Sequence, residues 1–115
     1  MSLGLSSTRS ATGRQITGRI LENATAPTNG EWYPIDGEGP VSVTVAGDFE
    51  GELNIRIDNK ADGKPDATNT QPVLGDTLTG AGYLYVEGRF RWIKAELAAI
   101  VSGTVTEVNI LVGTP

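Results

Sequence analysis

Residues 81–114 read AGYLYVEGRFRWIKAELAAIVSGTVTEVNILVGT, and how this stretch is parsed decides the fold. Tyr, Val, Ile, Phe, Trp and Thr dominate it, the residue types that fit a pleated, half-buried strand. It divides into two long β-like runs joined across Val101-Ser102-Gly103-Thr104. A helix over residues 93–101 (IKAELAAIV) competes on propensity. Nine residues make a marginal isolated helix, however, and the flanks are β-rich, so strand is preferred. In strand phase Phe90, Trp92, Lys94 and Glu96 share one face, and Ile93, Ala95 and Leu97 share the other. Further on, Val108, Ile110 and Val112 point inward while Val105 falls out of phase. That slip predicts a bulge near Thr106-Glu107.

Working upstream, residues 41–45 (VSVTV) and 53–57 (LNIRI) alternate with period two, the pattern of strands with one buried face. Residues 47–51 (GDFEG) lie between them, so the pair is expected to form a hairpin. The Trp32-Tyr33-Pro34 segment reads as an edge strand, because proline removes a ladder donor. Residues 58–72 (DNKADGKPDATNTQP) form a long polar loop. Residues 1–17 lack apolar periodicity and read as an extended basic arm, with a weak first strand at 16–21 and a linker at 23–30. Two units follow: an arm and linker over residues 1–30, and a β domain over residues 31–115. Short strands separated by glycine turns predict an all-β chain, an antiparallel sandwich or jelly roll of six to eight strands.

Composition narrows the function classes. The 115 residues include no Cys and no His, so disulfides, thiolate zinc sites and imidazole acid–base chemistry are excluded. No run approaches the roughly 18 apolar residues of a membrane helix, and no membrane partner is expected. The net charge of −5 is unevenly placed. Arg9, Arg14 and Arg19 give residues 1–21 a charge of +3. In residues 22–88, twelve acids against Arg56, Lys60 and Lys64 leave −9. An acidic middle repels a polyanion, so no nucleic-acid partner is expected. A hydrophobic fraction of 38% with few aromatics is a lean core, which suggests reliance on a partner chain.

Three constellations invite chemistry. Asp58, Asp62 and Asp66 resemble a calcium loop, but Lys60 stands where the third-position oxygen ligand belongs, and turn chemistry explains the aspartates at least as well. Asp48, Glu50 and Glu52 offer paired carboxylates, yet a solvated hairpin tip lacks the apolar pocket that raises a catalytic acid's pKa. The rings of Trp32, Tyr33, Tyr83, Tyr85 and Trp92 are candidates for a sugar-stacking platform, with several of them needed for the core. No enzyme activity and no cofactor are expected.

The Glu31-Trp32-Tyr33-Pro34 opening, the VSVTV strand, the glycine-rich hairpin, Arg91-Trp92-Ile93-Lys94-Ala95, Val101-Ser102-Gly103 and the final Val/Ile strand form a recurring pattern. Over residues 30–113 it resembles the small β-sandwich structural proteins of tailed-bacteriophage and prophage virions. The resemblance implies a capsid decoration or cement subunit found in the virion, and in host cytoplasm during assembly. Implied partners are capsid or other virion proteins and further copies of itself, as a dimer or trimer. The candidate interface is Arg9, Arg14 and Arg19 of the arm with Tyr83, Tyr85, Phe90, Trp92 and Lys94. A carbohydrate-binding or tail-fibre module is the alternative.

Overall fold

The structure, a computed structural model, describes residues 3–10 and 13–113, without the side chains of residues 8–10 and 13. Among the described residues seven strands make up one antiparallel sheet that does not close: β1 (Gly4–Ser10), β2 (Gly13–Ala24), β3 (Thr28–Asn29), β4 (Tyr33–Glu38), β5 (Val41–Asp58), β6 (Gly82–Val86) and β7 (Phe90–Gly113). The order is β1-β2-β7-β5-β6, with β3 and β4 pairing the N-terminal half of β7. All-β architecture and strand number follow the expectation. Two stacked sheets do not, since every strand belongs to a single sheet. With no helix among the described residues to cover it, that sheet buries one face only by coiling on itself. Its inward side chains accordingly form one cluster that runs from Ile35, Ile55 and Ile93 to Val41, Ile110 and Val112.

β5 and β7 are the spine, and here the sequence reading needs correcting. Residues 41–57 do not turn back as a hairpin. β5 runs 18 residues unbroken along β7, from Val41↔Val112 to Asp58↔Trp92. Likewise residues 90–113 are one strand of 24 residues, not two. The ladder slips where Ala46↔Glu107 gives way to Gly47↔Val105, Glu50↔Ser102 to Gly51↔Ile100, and Glu52↔Ala99 to Leu53↔Leu97. Each slip leaves the extra residue on β7: Thr106, Val101 and Ala98. The bulge expected near Thr106 is therefore present. Bulges bend a strand and raise its twist, and three on one strand supply the curvature the coiled sheet needs. Glycine permits the close crossings. Gly103 sits at φ +84°, opposite Phe49, where a Cβ would fall on the Asp48 carbonyl oxygen.

The expected N-terminal arm is also corrected. β1 and β2 form a hairpin laid against the last residues of β7, Gln15↔Gly113 through Ala24↔Val105. Ile16, Ile20, Leu21 and Ala24 are buried in the same core as residues 31–113. The misreading has a physical cause: small and polar residues populate β1, and a ladder slip between Arg19 and Leu21 breaks the alternation of β2.

Candidate functional site

The register of the C-terminal half builds a broad exposed surface. On the face opposite the core, Tyr85 of β6, Ser42 of β5, Leu111 of β7, Thr17 of β2 and Ser6 of β1 line up as successive ladder partners. A second row holds Tyr83, Thr44, Asn109, Arg19 and Gly4. Five strands span roughly 19 Å at the normal strand spacing, and the rows lie roughly 7 Å apart. The large apolar groups stay in solvent: Tyr83 is 59% exposed, Tyr85 51% and Leu111 41%. Tyr83 Oη hydrogen-bonds Ser42 Oγ at 3.2 Å, holding its ring along the sheet. Arg19 is the one charge in the two rows. Its guanidinium is taken up by Glu22 (3.1 Å) and by Glu107, carboxylates that face each other across β2 and β7. The face is thus aromatic at one edge and sparsely charged, the one guanidinium and its two carboxylates summing to −1.

Beside it lies an open cleft of about 410 Å³ lined by Gly39, Pro40, Tyr85, Glu87, Gly88 and Arg89. Its floor is tight: a Cβ on Gly39 would strike the Gly88 carbonyl oxygen. One aromatic wall and a rim carrying a carboxylate and a guanidinium give it the means to hold a small polar ligand.

The other half of the sheet is covered by its own loops. Trp32 is buried, and its Nε1 donates to the Asp66 carbonyl at 2.9 Å. Trp92 Nε1 donates to the Lys60 carbonyl at 3.1 Å. Arg56 pairs with Glu96 at 2.8 Å and donates to the Gln71 carbonyl at 2.6 Å. Together they lay residues 59–72 over the sheet. The two indoles therefore act as pins for the polar loop.

Lys94 lies beneath this cover. It is fully buried, with Nζ 5.0 Å from the Trp32 ring centroid and no hydrogen-bond partner among the described residues. Burial pushes its pKa below the ordinary lysine value of 10.5, with neighbouring Arg56 acting in the same direction and Glu96 opposing. The unfolded chain thus binds more protons than the folded one between the folded pKa and 10.5, so stability rises with pH across that window. Below it, the full cost of the buried ammonium is present. Lys94→Met keeps the apolar stem and removes the charge. Although the substitution also gives up the cation–π attraction, the variant is expected to be more stable by about 1–2 kcal/mol at neutral pH. Urea melts at about pH 7 and pH 9.5 check this, the variant's advantage shrinking at the higher pH. A destabilised Lys94→Met would contradict it.

The residues singled out in the sequence fall in different places. Tyr83 and Tyr85 meet on the exposed face with Arg19, which is paired within the sheet. Arg14 is on β2, bridged to Asp36 of β4 at 2.5 Å. Phe90 is half-buried against the core and Trp92 holds the loop, while Lys94 is inside. The Arg9 side chain lies outside the described residues. Of the calcium-like trio, Asp58 Oδ1 accepts the Lys60 amide at 2.8 Å, a local turn bond, and Asp66 offers its carbonyl to Trp32. Among the described residues no three acidic side chains converge as a metal site. Asp48, Glu50 and Glu52 stand exposed along β5. Sequence reasoning missed Leu111, Ser42 and Thr17, whose grouping depends on which strands are neighbours.

No family model matches the chain, and no curated protein matches it significantly. Among solved structures it is similar to the crystal structure of the SPBc2 prophage-derived protein YomS. The TM-score is 0.54 at 16% identity, over 97% of this chain and 96% of that one. What the two share is a fold. The chain is related in architecture to a prophage-derived protein, end to end.

Proposed function

We propose that the chain is a non-enzymatic structural protein of a phage virion, a decoration or cement subunit that binds the head through protein–protein contacts. The observation that carries this reading is the sparsely charged five-strand face. It presents Tyr83, Tyr85 and Leu111 in ladder register on a chain of net charge −5, the kind of sparsely charged, aromatic-bearing surface suited to the core of an interface. The likeness to a prophage-derived protein supports the setting by analogy of fold. Docking would place the Leu111 row against a capsid protein, while the loop-covered half faces solvent.

Co-sedimentation with heads of the phage that encodes the chain tests this. Wild type is expected to pellet with heads, and Leu111→Lys to lose at least about tenfold in affinity, since a charge desolvated in an interface costs well over about 1.4 kcal/mol. Wild type that stays in the supernatant would contradict the proposal. The cleft at Tyr85, Glu87 and Arg89 favours a second reading, a glycan-binding or tail-fibre module. Glycan binding abolished by Tyr85→Ala, with no head binding, would replace the first reading by that one.

A further inference from the structure

Among the described residues β6 ends the strand order, pairing with β5 alone, so its outer edge offers a row of backbone donors and acceptors. Natural sheets protect such an edge with lysine, proline, a bulge or a covering loop, because an open edge templates further pairing. β6 reads GYLYV: no charge, no proline, three β-forming side chains in Tyr83, Tyr85 and Val86, and an unbroken register with β5 from Val41↔Val86 to Val45↔Gly82. The opposite edge differs, since β1 reads GLSSTRS, polar and carrying an arginine. One edge is guarded by its composition and the other is built to pair.

We infer that β6 is a homodimer strand, joining antiparallel to β6 of a second copy and fusing two sheets into one. Charge and symmetry identify the occupant. Two copies of net charge −5 repel wherever acidic surfaces meet, but β6 itself carries no charge, and the cluster of Arg19 with Glu22 and Glu107, net −1, lies on β2 and β7, two to three strands away from that edge. Antiparallel pairing of a strand with itself is isologous, so one patch satisfies both partners. With the twofold at Leu84, Tyr83 of each copy faces Tyr85 of the other, and aromatic pairs across strands are favourable. Adding a strand at an open edge is an established mode of recognition. The pairing makes the exposed face ten strands wide with four tyrosines at its centre. It commits the assembly to a dimer, since a threefold axis cannot relate antiparallel edges. It deepens the virion reading, yet it is measured on the purified chain alone, so its failure would leave that reading standing.

The test is light scattering over a dilution series, with amide hydrogen exchange at residues 82–86. Wild type is expected at twice the monomer mass, its β6 amides slowing as the dimer fills. Y83K/Y85K places charges on exposed positions of the edge and is expected to be monomeric with an unchanged far-UV spectrum. Leu111→Lys, on the same face but away from the edge, should stay dimeric. Should Y83K/Y85K fail to fold, concentration-dependent protection of wild-type β6 amides decides alone. Wild type that is monomeric at its solubility limit would overturn the inference. So would a dimer that survives Y83K/Y85K, or one abolished by Leu111→Lys.

Discussion

Replacing Trp32 by alanine is expected to destabilise the protein by about 3–5 kcal/mol, the range for removing a buried Trp or Phe side chain. Typical domain stability is only about 5–15 kcal/mol, so the variant should be at or near the limit of folding at physiological temperature. Three effects coincide at this residue. The indole is 4% exposed, so its removal leaves a cavity in a core that has few aromatics. Its Nε1 bond to the Asp66 carbonyl is one of the ties that hold residues 59–72 down. Its ring is also the favourable contact of the buried Lys94 ammonium, and without it that charge has less compensation. Trp32→Phe separates these contributions. It keeps most of the volume and the ring face, removes the hydrogen bond, and is expected to cost about 1 kcal/mol. Denaturant unfolding gives the magnitudes. Trypsin, cutting after Lys60, should report loop release in Trp32→Ala well before global unfolding. A loss below about 1 kcal/mol in Trp32→Ala, with the loop still resistant, would show that the indole is not the pin described here.

Gly103→Ala is the second large effect. The position demands φ +84°, and a non-glycine residue held in such a region costs about 1–3 kcal/mol by conformation alone. A Cβ would also meet the Asp48 carbonyl oxygen and the Phe49 Cα, backbone atoms that cannot rotate away. The spine would have to part at its centre. Gly63 is the natural control, since it has φ +85° but nothing within 4 Å of a built Cβ. Gly63→Ala therefore isolates the conformational cost, expected at about 1 kcal/mol, and Gly103→Ala should exceed it by at least about 2 kcal/mol. Equal melting temperatures for the two variants would mean that β5 and β7 do not cross at Gly103 as described.

How far the sequence could be read depended on which strand carried the irregularity. β5 keeps its buried side chains at odd positions from Val41 through Val45, Phe49 and Leu53 to Ile55. That unbroken parity was legible as one long strand. The two glycines of GDFEG obscured it, because Gly47 and Gly51 look like a turn when they are in fact close crossings with Thr104 and Ala99. β7 absorbs all three extra residues, so its phase slips three times. One slip could be read from Val105, while the other two leave exposed Val101 and Ala98 in a run that mimics a helix. The arm was misread because β1 and β2 owe their place to pairing with the far end of the chain, a long-range ladder that local periodicity does not report. Burial of Lys94 was hidden for a similar reason. The alternation correctly put it opposite Ile93 and Ala95, but what covers that face comes from Trp32 and residues 59–72, distant in sequence. The exposed face was legible only in part: the tyrosines stood out as aromatic, whereas Leu111 and the hydroxyl rows acquire meaning from strand order alone.

The proposed place of this chain in a phage particle is tested most directly by quantitative mass spectrometry of purified particles. Gradient-purified virions of the encoding phage should contain the chain in a fixed ratio to the major capsid protein, the ratio unchanged by repeated purification. Peptides found only in the soluble lysate, with none above background in the particles, would contradict it.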